Sequence, residues 1–325
     1  MDAARAGQRT LLTCFNRRLG DWLAEEAGEI EGQRVVSLHR FMHGLLRETG
    51  RLQELPPADE DHLMMVEFPK QSMEAMLELG ITGSYDRLVV DEAQDLLLPG
   101  YLDVFGQLLD GGLSAGRWAM FYDPKQDLFR GLEGGGMAQV RVGNPAVYQL
   151  SVNCRNTRQI AYEAGMLAGF EPDQTMEANG PDIEEIWCRD DADQRRKVSR
   201  AINRLLSSGI RPAQIVVLSA RRLERSSLAP GLDDVPFALT DQADRTDGRI
   251  NYSTIQGFKG LESDVAVVVD VAGLTSPEER YLLYVATTRA RAHLVVALLD
   301  SLRPDHERAA KEFGRLIAEG LGRPH

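Results

Sequence analysis

Short apolar runs alternate with longer amphipathic segments along the whole sequence. Two of the clearest runs are RLVVD at residues 87–91 and IVVLS at residues 215–219. Short runs rich in β-branched residues predict buried strands, and the longer segments between them predict crossover helices. The predicted strands are Thr10–Phe15, Val35–Leu38, Arg87–Asp91, Trp118–Tyr122, Val147–Val152, Ile183–Cys188, Ile215–Ser219, Ile250–Ile255, Val265–Val271 and His293–Leu299. The pattern indicates an α/β fold with parallel sheets.

The predicted helices separate these strands and indicate how the chain is divided. They include Arg17–Ala27, Phe68–Leu79, Thr157–Ala168 and Ala192–Ser207, together with a short helix with a frayed end over Arg303–His325. The stretch GLEGGGMAQVRVGNP, residues 131–145, is rich in glycine and predicts a loop. Two doubly wound parallel-sheet domains in tandem follow, and we place them at residues 1–148 and 149–325.

The composition is that of a globular protein long enough for two domains. The 325 residues are 43% hydrophobic and 26% charged, and no apolar stretch reaches the roughly 18 residues that cross a bilayer. The N-terminal sequence MDAARAGQRT lacks the apolar core of a signal peptide, so we expect a cytoplasmic protein without a membrane partner. Cys14, Cys154 and Cys188 are too scattered for a disulfide framework or a zinc site, and we expect reduced thiols. The net charge of −12 argues weakly against a nucleic-acid partner, but it does not exclude a local basic groove.

Polar residues with defined chemical uses follow several of the predicted strands. Ligands of open parallel sheets bind beyond the carboxyl ends of the strands, so these residues are candidates for one site. They are Asp91 and Glu92 after the third strand, Asp123, Lys125 and Gln126 after the fourth, Asn153, Arg155 and Asn156 after the fifth, Lys259 and Glu262 after the eighth, and Arg289 before the last. Taken singly, each of these residues is also compatible with an ordinary solvated surface position.

The order of these motifs resembles that of the UvrD/Rep-like helicases of superfamily 1. The resemblance is carried by DEAQD at residues 91–95, YDPKQDLF at residues 122–129, FKGLE at residues 258–262 and YVATTRA at residues 284–290. It implies two tandem RecA-like domains of the P-loop NTPase type. It also implies that ATP and Mg²⁺ are the cofactors and that single-stranded or partly duplex DNA is the partner, with RNA left open.

The resemblance implies a catalytic role for five residues in phosphoryl transfer, which depends on positioning and charge stabilisation. Asp91 holds Mg²⁺ through its water shell, and Glu92 orients and deprotonates the attacking water. Gln126 senses the γ-phosphate, while Arg155 and Arg289 neutralise the charge that develops on the transferred phosphoryl group. Both arginines belong to the second domain, so we expect hydrolysis to require closure of the two domains on nucleotide.

The same resemblance implies further nucleotide and nucleic-acid contacts. Glu262 accepts hydrogen bonds from the ribose hydroxyls, unless it is only an acidic residue favoured at a helix N-terminus. The other expected nucleotide contacts are Gly260 and Asp123, and the expected nucleic-acid contacts are Thr13, Asn16, Ser37, His39, Phe129, Thr254 and Gln256. Two of these have an alternative, because Phe129 is either a base-stacking residue or a core aromatic. His39 is either a strand contact or a buried, hydrogen-bonded core histidine.

The sequence departs from this family at its start. It contains no GxxxxGK[ST] pattern, the P-loop whose backbone N–H groups and lysine cradle the phosphates. The first residues, AARAGQRTLLTCF, instead resemble the region that follows a P-loop. We therefore expect an incomplete first domain, either a fragment without its P-loop or nuclease-related N-terminal segment, or a natural degenerate member. Smaller departures are Tyr122, Cys154 and Gln256, where the family has a glycine, a tyrosine and a histidine.

These observations predict the core of an ATP-dependent superfamily 1 DNA helicase or translocase that couples ATP hydrolysis to movement on single-stranded DNA. The sequence as it stands is expected to be inactive, because it lacks the P-loop. The alternative is a non-catalytic nucleic-acid-binding or scaffolding module that keeps the helicase fold.

Overall fold

The computed structural model describes residues 7–57, 59, 62–126, 135–171, 174–175, 179–241 and 248–320. The chain forms two units, Met1–Tyr148 and Gln149–His325, and each is built around its own parallel sheet. Every strand pair among the described residues is parallel. The predicted α/β fold with parallel sheets is therefore confirmed.

The first unit has a four-stranded sheet with the strand order β2-β1-β3-β4. Its strands are β1 (Thr10–Cys14), β2 (Gln33–Ser37), β3 (Arg87–Asp91) and β4 (Arg117–Met120). Its helices are α1 (Arg17–Ala27), α2 (Leu38–Glu48), α3 (Phe68–Glu78), α4 (Pro99–Leu108), α5 (Gly112–Ala115) and α6 (Gly136–Arg141). The register places Cys14 of β1 beside Asp91 of β3. The carboxyl ends of these two strands therefore lie side by side.

Local chemistry and burial explain the elements of the first unit. Asn16 begins α1, because its Oδ1 accepts from the N–H groups of Arg18 and Leu19, and Gly28 ends the helix with a φ of 65°. The apolar faces of β1 and β3 pack with α2, α3 and α4 in one core that includes Leu11, Val90 and Phe105. This core holds the strand ends that carry the predicted site.

The second unit has a six-stranded sheet with the strand order β7-β12-β11-β8-β10-β9 and a short separate pair, β5-β6. Its strands are β5 (Val152–Asn153), β6 (Gln174–Thr175), β7 (Glu184–Cys188), β8 (Ile215–Ser219), β9 (Ala238–Thr240), β10 (Arg249–Thr254), β11 (Ser263–Val269) and β12 (Ala290–Leu299). Its helices are α7 (Arg158–Ala168), α8 (Asp191–Ser207), α9 (Pro277–Thr287) and α10 (Arg303–Gly320). The helix α9 connects the paired parallel strands β11 and β12, because a parallel pair cannot be joined by a tight turn.

The central strands of the second unit are apolar on both faces. All five residues of β8 are buried, as are the last five of β11, because helices cover both sides of a parallel sheet. Capping residues fix where the helices begin. Ser276 and Glu279 form a capping box at the start of α9, and Asp190 accepts from the Asp193 N–H at the start of α8.

The fold differs from the sequence-based prediction near residue 150. The strand predicted at Val147–Val152 is wrong, because only Val152–Asn153 pairs with a neighbour. Tyr148 and Leu150 are 90% and 93% exposed, so these apolar residues do not form a buried strand. The predicted glycine-rich loop also contains a short helix, α6, over Gly136–Arg141.

The structure also bears on the expected reduced thiols and on the expected absence of a membrane partner. Cys14, Cys154 and Cys188 are free thiols, and only Cys154 is exposed. Burial raises the pKa of Cys14 to about 12 and that of Cys188 to about 11, so both buried thiols stay protonated at neutral pH. Within the described ranges, no helix combines the length and the apolar character needed to span a membrane.

Candidate functional site

The carboxyl end of β3 places two adjacent carboxylates at a sharp turn. Asp91 is the last residue of the strand, and Glu92 follows it with a φ of 50°, in the left-handed region that non-glycine residues seldom adopt. The Glu92 N–H donates to Asp91 Oδ1 over 2.9 Å. Both residues are half-buried. Strained backbone of this kind is concentrated at functional sites, because the surrounding structure must hold it in place.

A series of side-chain hydrogen bonds links this turn to the end of β4. Gln94 Nε2 donates to Glu92 Oε2 over 2.6 Å, and Gln94 Oε1 accepts from the Asp123 N–H over 3.1 Å. Gln126 Nε2 then donates to Asp123 Oδ2 over 2.6 Å. Gln94 is 0% exposed and Gln126 is 4% exposed, so water does not compete for these bonds. The series, which we call the amide relay, fixes Glu92 relative to Gln126.

Gln94 is a site residue that the sequence-based reasoning missed. That reasoning selected Asp91, Glu92, Asp123 and Gln126 as residues that follow strands, but it passed over the amide between them. The available signal was the position of Gln94 in a run that turns apolar, AQDLLL. An amide in a buried run must find hydrogen-bond partners, and in this structure the partners are the predicted site residues.

The ligands at the end of β3 suit Mg²⁺. Asp91 and Glu92 present carboxylate oxygens, the hard ligands that this ion prefers. The group of three His, Cys, Asp or Glu ligands found among the described residues does not include either of them. Mg²⁺ commonly uses one or two carboxylates and keeps several waters, so the pair fits contact through the water shell of the ion.

In the second unit, Arg155 and Glu262 form an ion pair. Arg155 lies in the turn after β5, where its N–H donates to Asn153 Oδ1. Arg155 Nε lies 3.0 Å from Glu262 Oε2, and Arg291 Nη1 lies 3.4 Å from Glu262 Oε1. All three charged side chains are exposed, so water screens these pairs. The structure thus brings two predicted nucleotide residues together and adds Arg291, which the sequence-based reasoning did not select.

Arg289, unlike the exposed Arg155, is fully buried. Its Nε donates to the Val285 carbonyl over 2.9 Å and its Nη1 to the Leu261 carbonyl over 3.3 Å. Its Nη2 lies 3.1 Å from Thr288 Oγ1. Arg289 therefore ties the end of α9 to the FKGLE turn before β11.

Asn156 connects the segments that carry the two arginines. Its Nδ2 donates to the Thr288 carbonyl over 3.0 Å and to the Ala290 carbonyl over 2.6 Å, on either side of Arg289. Asn156 is 5% exposed, and it follows Arg155 directly in the chain. The turn of Arg155 is thereby anchored to the segment of Arg289.

The remaining predicted residues of the second unit lie in the FKGLE turn or just before it. Gly260 has a φ of 82°, which a residue with a Cβ adopts only with strain. Thr254 ends β10, and its Oγ1 accepts from the Gly257 N–H over 3.1 Å. Gln256 is exposed at the start of the short helical turn that follows. Of these residues, Gln256 offers an exposed side chain to a partner.

The structure describes four predicted nucleic-acid contacts of the first unit, and three of them, Thr13, Asn16 and Ser37, lie at or near the ends of β1 and β2. Thr13 is 1% exposed and Ser37 is 3% exposed, so their side chains face the interior of the unit. Thr13 Oγ1 has no hydrogen-bond partner among the described residues. Asn16 is the N-cap of α1, with its Oδ1 engaged by backbone N–H groups. Contact between a nucleic acid and Thr13 or Ser37 therefore requires a local change in packing.

His39 has the environment of a core histidine. Its Nε2 lies 2.8 Å from the Tyr101 hydroxyl, and its ring packs edge-on against Phe15 and Tyr101. Burial lowers the pKa of His39 to about 4, so the imidazole is neutral at pH 7. This environment matches the second alternative given for His39. Phe129 lies outside the described residues.

Comparisons with known proteins relate the second unit to helicases. Residues 250–297, which include the FKGLE and YVATTRA motifs, match the family model of the UvrD-like helicase C-terminal domain. Among solved structures, the chain is similar to the C-terminal domain of a possible DNA helicase from Lactobacillus plantarum WCFS1. That similarity has 18% identity and a TM-score of 0.37, and it covers 48% of this chain and 94% of that chain. No curated protein matches the sequence at the significance required.

The family match falls where the sequence motifs predicted it. It covers the turn of Gly260 and Glu262 and the segment of Arg289 and Arg291. The matched range 250–297 spans most of β10 and β12 and all of β11 and α9. The match supports a helicase-related function and confirms the resemblance of this chain to the UvrD/Rep-like helicase family.

Proposed function

We propose that the chain is the core of an ATP-dependent superfamily 1 DNA helicase or translocase, in which ATP hydrolysis drives movement on single-stranded DNA. The amide relay is the observation that supports this proposal most strongly. It joins a strained Glu92 to Gln126, two residues that a phosphoryl-transfer site needs at fixed positions. The UvrD-like match of residues 250–297 supports the helicase part of the proposal.

The first unit supplies the acidic part of the chemistry. Asp91 contacts the water shell of Mg²⁺, which neutralises charge on the phosphate oxygens when it is bound. Glu92 accepts a proton from the attacking water and orients it. Its Oε2 is engaged by Gln94, so the relay sets the direction of the carboxylate. Gln126 reports the presence of the γ-phosphate to the rest of the unit.

The second unit supplies positive charge and the nucleoside contact. Arg155 exchanges Glu262 for a phosphate oxygen when nucleotide binds, which is feasible because the ion pair is exposed and weakly held. Glu262 is then available to accept hydrogen bonds from the ribose hydroxyls. The planar guanidinium of Arg289 suits the stabilisation of charge on the transferred phosphoryl group. Because its donors are engaged by the Val285 and Leu261 carbonyls, this role requires a local rearrangement that frees them.

The absence of a GxxxxGK[ST] pattern limits what the chain does alone. The P-loop supplies backbone N–H groups and a lysine for the phosphates, and its hydroxyl completes the Mg²⁺ site. We propose that the chain by itself neither binds MgATP tightly nor hydrolyses it.

This absence also favours a second candidate function. The chain is then a non-catalytic module that keeps the helicase fold and binds nucleic acid or another protein. The two functions differ in one respect, since the motor requires Glu92 for chemistry and the module does not.

The test is a chimera in which the P-loop strand of a UvrD-like helicase is joined upstream of β1. We expect the P-loop chimera to hydrolyse ATP in the presence of single-stranded DNA, while the parent chain does not. Hydrolysis that is abolished by Glu92→Gln supports the motor. A chimera that binds MgATP and DNA without hydrolysis supports the module. Micromolar MgATP binding by the parent chain, about −8 kcal/mol, contradicts the proposed requirement for a P-loop.

A further inference from the structure

Three ionisable side chains that the proposed function does not use meet in the second unit. Glu163 on α7, Glu185 on β7 and His306 on α10 each present one potential ligand atom, and these atoms lie within 4.8 Å of one another. β7 is an end strand of the six-stranded sheet in the described part of the chain. Two helices and a sheet edge therefore contribute one side chain each. We call this group the EEH cluster.

The contacts around the EEH cluster fix two of its members. His306 Nε2 lies 3.2 Å from Glu185 Oε1. The other carboxylate oxygen, Glu185 Oε2, accepts from Trp187 Nε1 over 3.1 Å. The Trp187 ring packs edge-on against His306, with 5.2 Å between the ring centroids. A carboxylate and an imidazole that are oriented by a neighbouring group are typical of metal ligands.

The cluster contains a buried polar atom that no described residue satisfies. Glu163 Oε1 is buried and has no hydrogen-bond partner in the described part of the chain, while the ion-pair contact of His306 Nε2 is with Glu185. Buried polar atoms nearly always have a partner, and two carboxylates close together favour a cation between them. The cluster thus has the composition of an incomplete coordination shell.

We propose that Glu163, Glu185 and His306 bind a divalent transition-metal ion of the Zn²⁺ class. In a tetrahedral Zn²⁺ site with bonds of 2.0–2.1 Å, ligand atoms are about 3.3 Å apart, close to the separation between His306 Nε2 and Glu185 Oε1. The ligand oxygen of Glu163 lies within 4.8 Å of the other two ligand atoms, so a small side-chain movement brings it to this geometry. A water completes the fourth position.

The ligand set also determines which ions are excluded. One imidazole and two carboxylates suit Zn²⁺ and its first-row neighbours. Mg²⁺ and Ca²⁺ prefer oxygen ligands throughout, so the imidazole nitrogen of His306 does not suit them. The site is therefore independent of the Mg²⁺ contact proposed at Asp91. A bound ion joins α10 to α7 and β7, so it stabilises the attachment of the C-terminal helix.

The experiment uses the full-length, tag-free chain with Cys154→Ser, which removes the exposed thiol as a competing ligand. After removal of metal by a chelator, Zn²⁺ binding is measured by calorimetry. Co²⁺ binding is measured by quenching of tryptophan fluorescence, because the Trp187 ring packs against His306. We expect saturable binding of a single equivalent of Zn²⁺ that an excess of Mg²⁺ or Ca²⁺ does not displace. At a Zn²⁺ concentration one hundred times the dissociation constant, the Tm rises by about 5 to 10 °C.

Matched variants locate the binding. We expect Glu163→Gln and His306→Gln each to weaken Zn²⁺ binding at least tenfold. Glu307→Gln, one position along α10, and His43→Gln, an exposed histidine of the first unit, leave it unchanged. Equal weakening by the control variants, or equal binding by all variants, identifies adventitious binding and overturns the proposal. The absence of saturable Zn²⁺ or Co²⁺ binding to the parent chain overturns it without any variant.

Discussion

The first unit holds its predicted site residues through buried amides, whereas the second holds them through one exposed ion pair and one buried arginine. In the first unit, the relay from Glu92 to Gln126 passes through Gln94, which is inaccessible to water. In the second unit, Arg155 is exposed against Glu262, while Arg289 donates to backbone carbonyls in the interior. Glu92, Gln126 and Arg289 are thus fixed in place, whereas Arg155 can change partners. A proton acceptor must be fixed, whereas a cation that recruits phosphate must be free to move.

The largest expected effect tests whether Arg289 is a fixed group. Arg289→Met leaves the Leu261 and Val285 carbonyls without this donor in a buried region. We expect the free energy of unfolding of the second unit to fall by about 3 kcal/mol or more. Urea denaturation followed by circular dichroism measures this change. The matched control is Arg291→Met, at an exposed position, and an equally large effect there would show that burial is not the cause.

A somewhat smaller effect is expected for the amide relay. Gln94→Ala removes the donor to Glu92 and the acceptor for the Asp123 N–H. We expect a loss of about 2 kcal/mol in the free energy of unfolding of the first unit. Gln139→Ala is the control, because Gln139 also donates to a carboxylate, that of Asp103, but on the exposed surface. Equal losses in the two variants would argue against the relay as a fixed element.

His39 gives the first unit a pH dependence of comparable size. The ordinary pKa of histidine is 6.5, and burial lowers that of His39 to about 4. Between these values the unfolded chain binds a proton that the folded chain does not, so stability falls as the pH falls below 6.5. From pH 7 to pH 5 the loss is about 2 kcal/mol.

The slope is measured by urea denaturation at several pH values, for the parent chain and for His39→Asn. We expect the variant to lose less stability on acidification than the parent. His43→Asn, which changes an exposed histidine, should keep the parent slope. Identical slopes for the parent and His39→Asn would show that His39 is not the source of the pH dependence.

The smallest expected effect concerns the exposed pair in the second unit. A double-mutant cycle with Arg155→Ala and Glu262→Ala should give a coupling energy of about 0.5 kcal/mol. The coupling should disappear in 1 M salt, because exposed charges are screened there. A coupling that is large and insensitive to salt would contradict the view that Arg155 changes partners readily.

The sequence predicts most of the fold where one local signal dominates. The bounds of β3 and β8 match the prediction to the residue, because an apolar run ends at a polar position in each case. α1 is also predicted to the residue, because Asn16 and Gly28 mark its ends. The sequence does not predict β6 and β9, because they have two and three residues and form only by pairing with β5 and β10. Neither strand has a periodic pattern of its own.

The site is predictable as a set of positions and not as a set of contacts. Strand ends identify Glu92, Asp123 and Gln126, because parallel sheets place polar groups there. The part played by Gln94 depends on side-chain rotamers within a turn, which no sequence spacing specifies. The pairing of Arg155 with Glu262 depends on how two turns distant in sequence approach each other. The EEH cluster depends on the approach of three elements, so its residues have no common motif.

The most direct test of the account is the rate of ATP hydrolysis by the P-loop chimera with single-stranded DNA, before and after Glu92→Gln. The account predicts a fall of about 10²- to 10⁴-fold with little change in MgATP affinity, because the substitution removes the proton acceptor and retains the fold. Glu74→Gln, a surface substitution in the same unit, should leave the rate unchanged. An undiminished rate in Glu92→Gln would contradict the account.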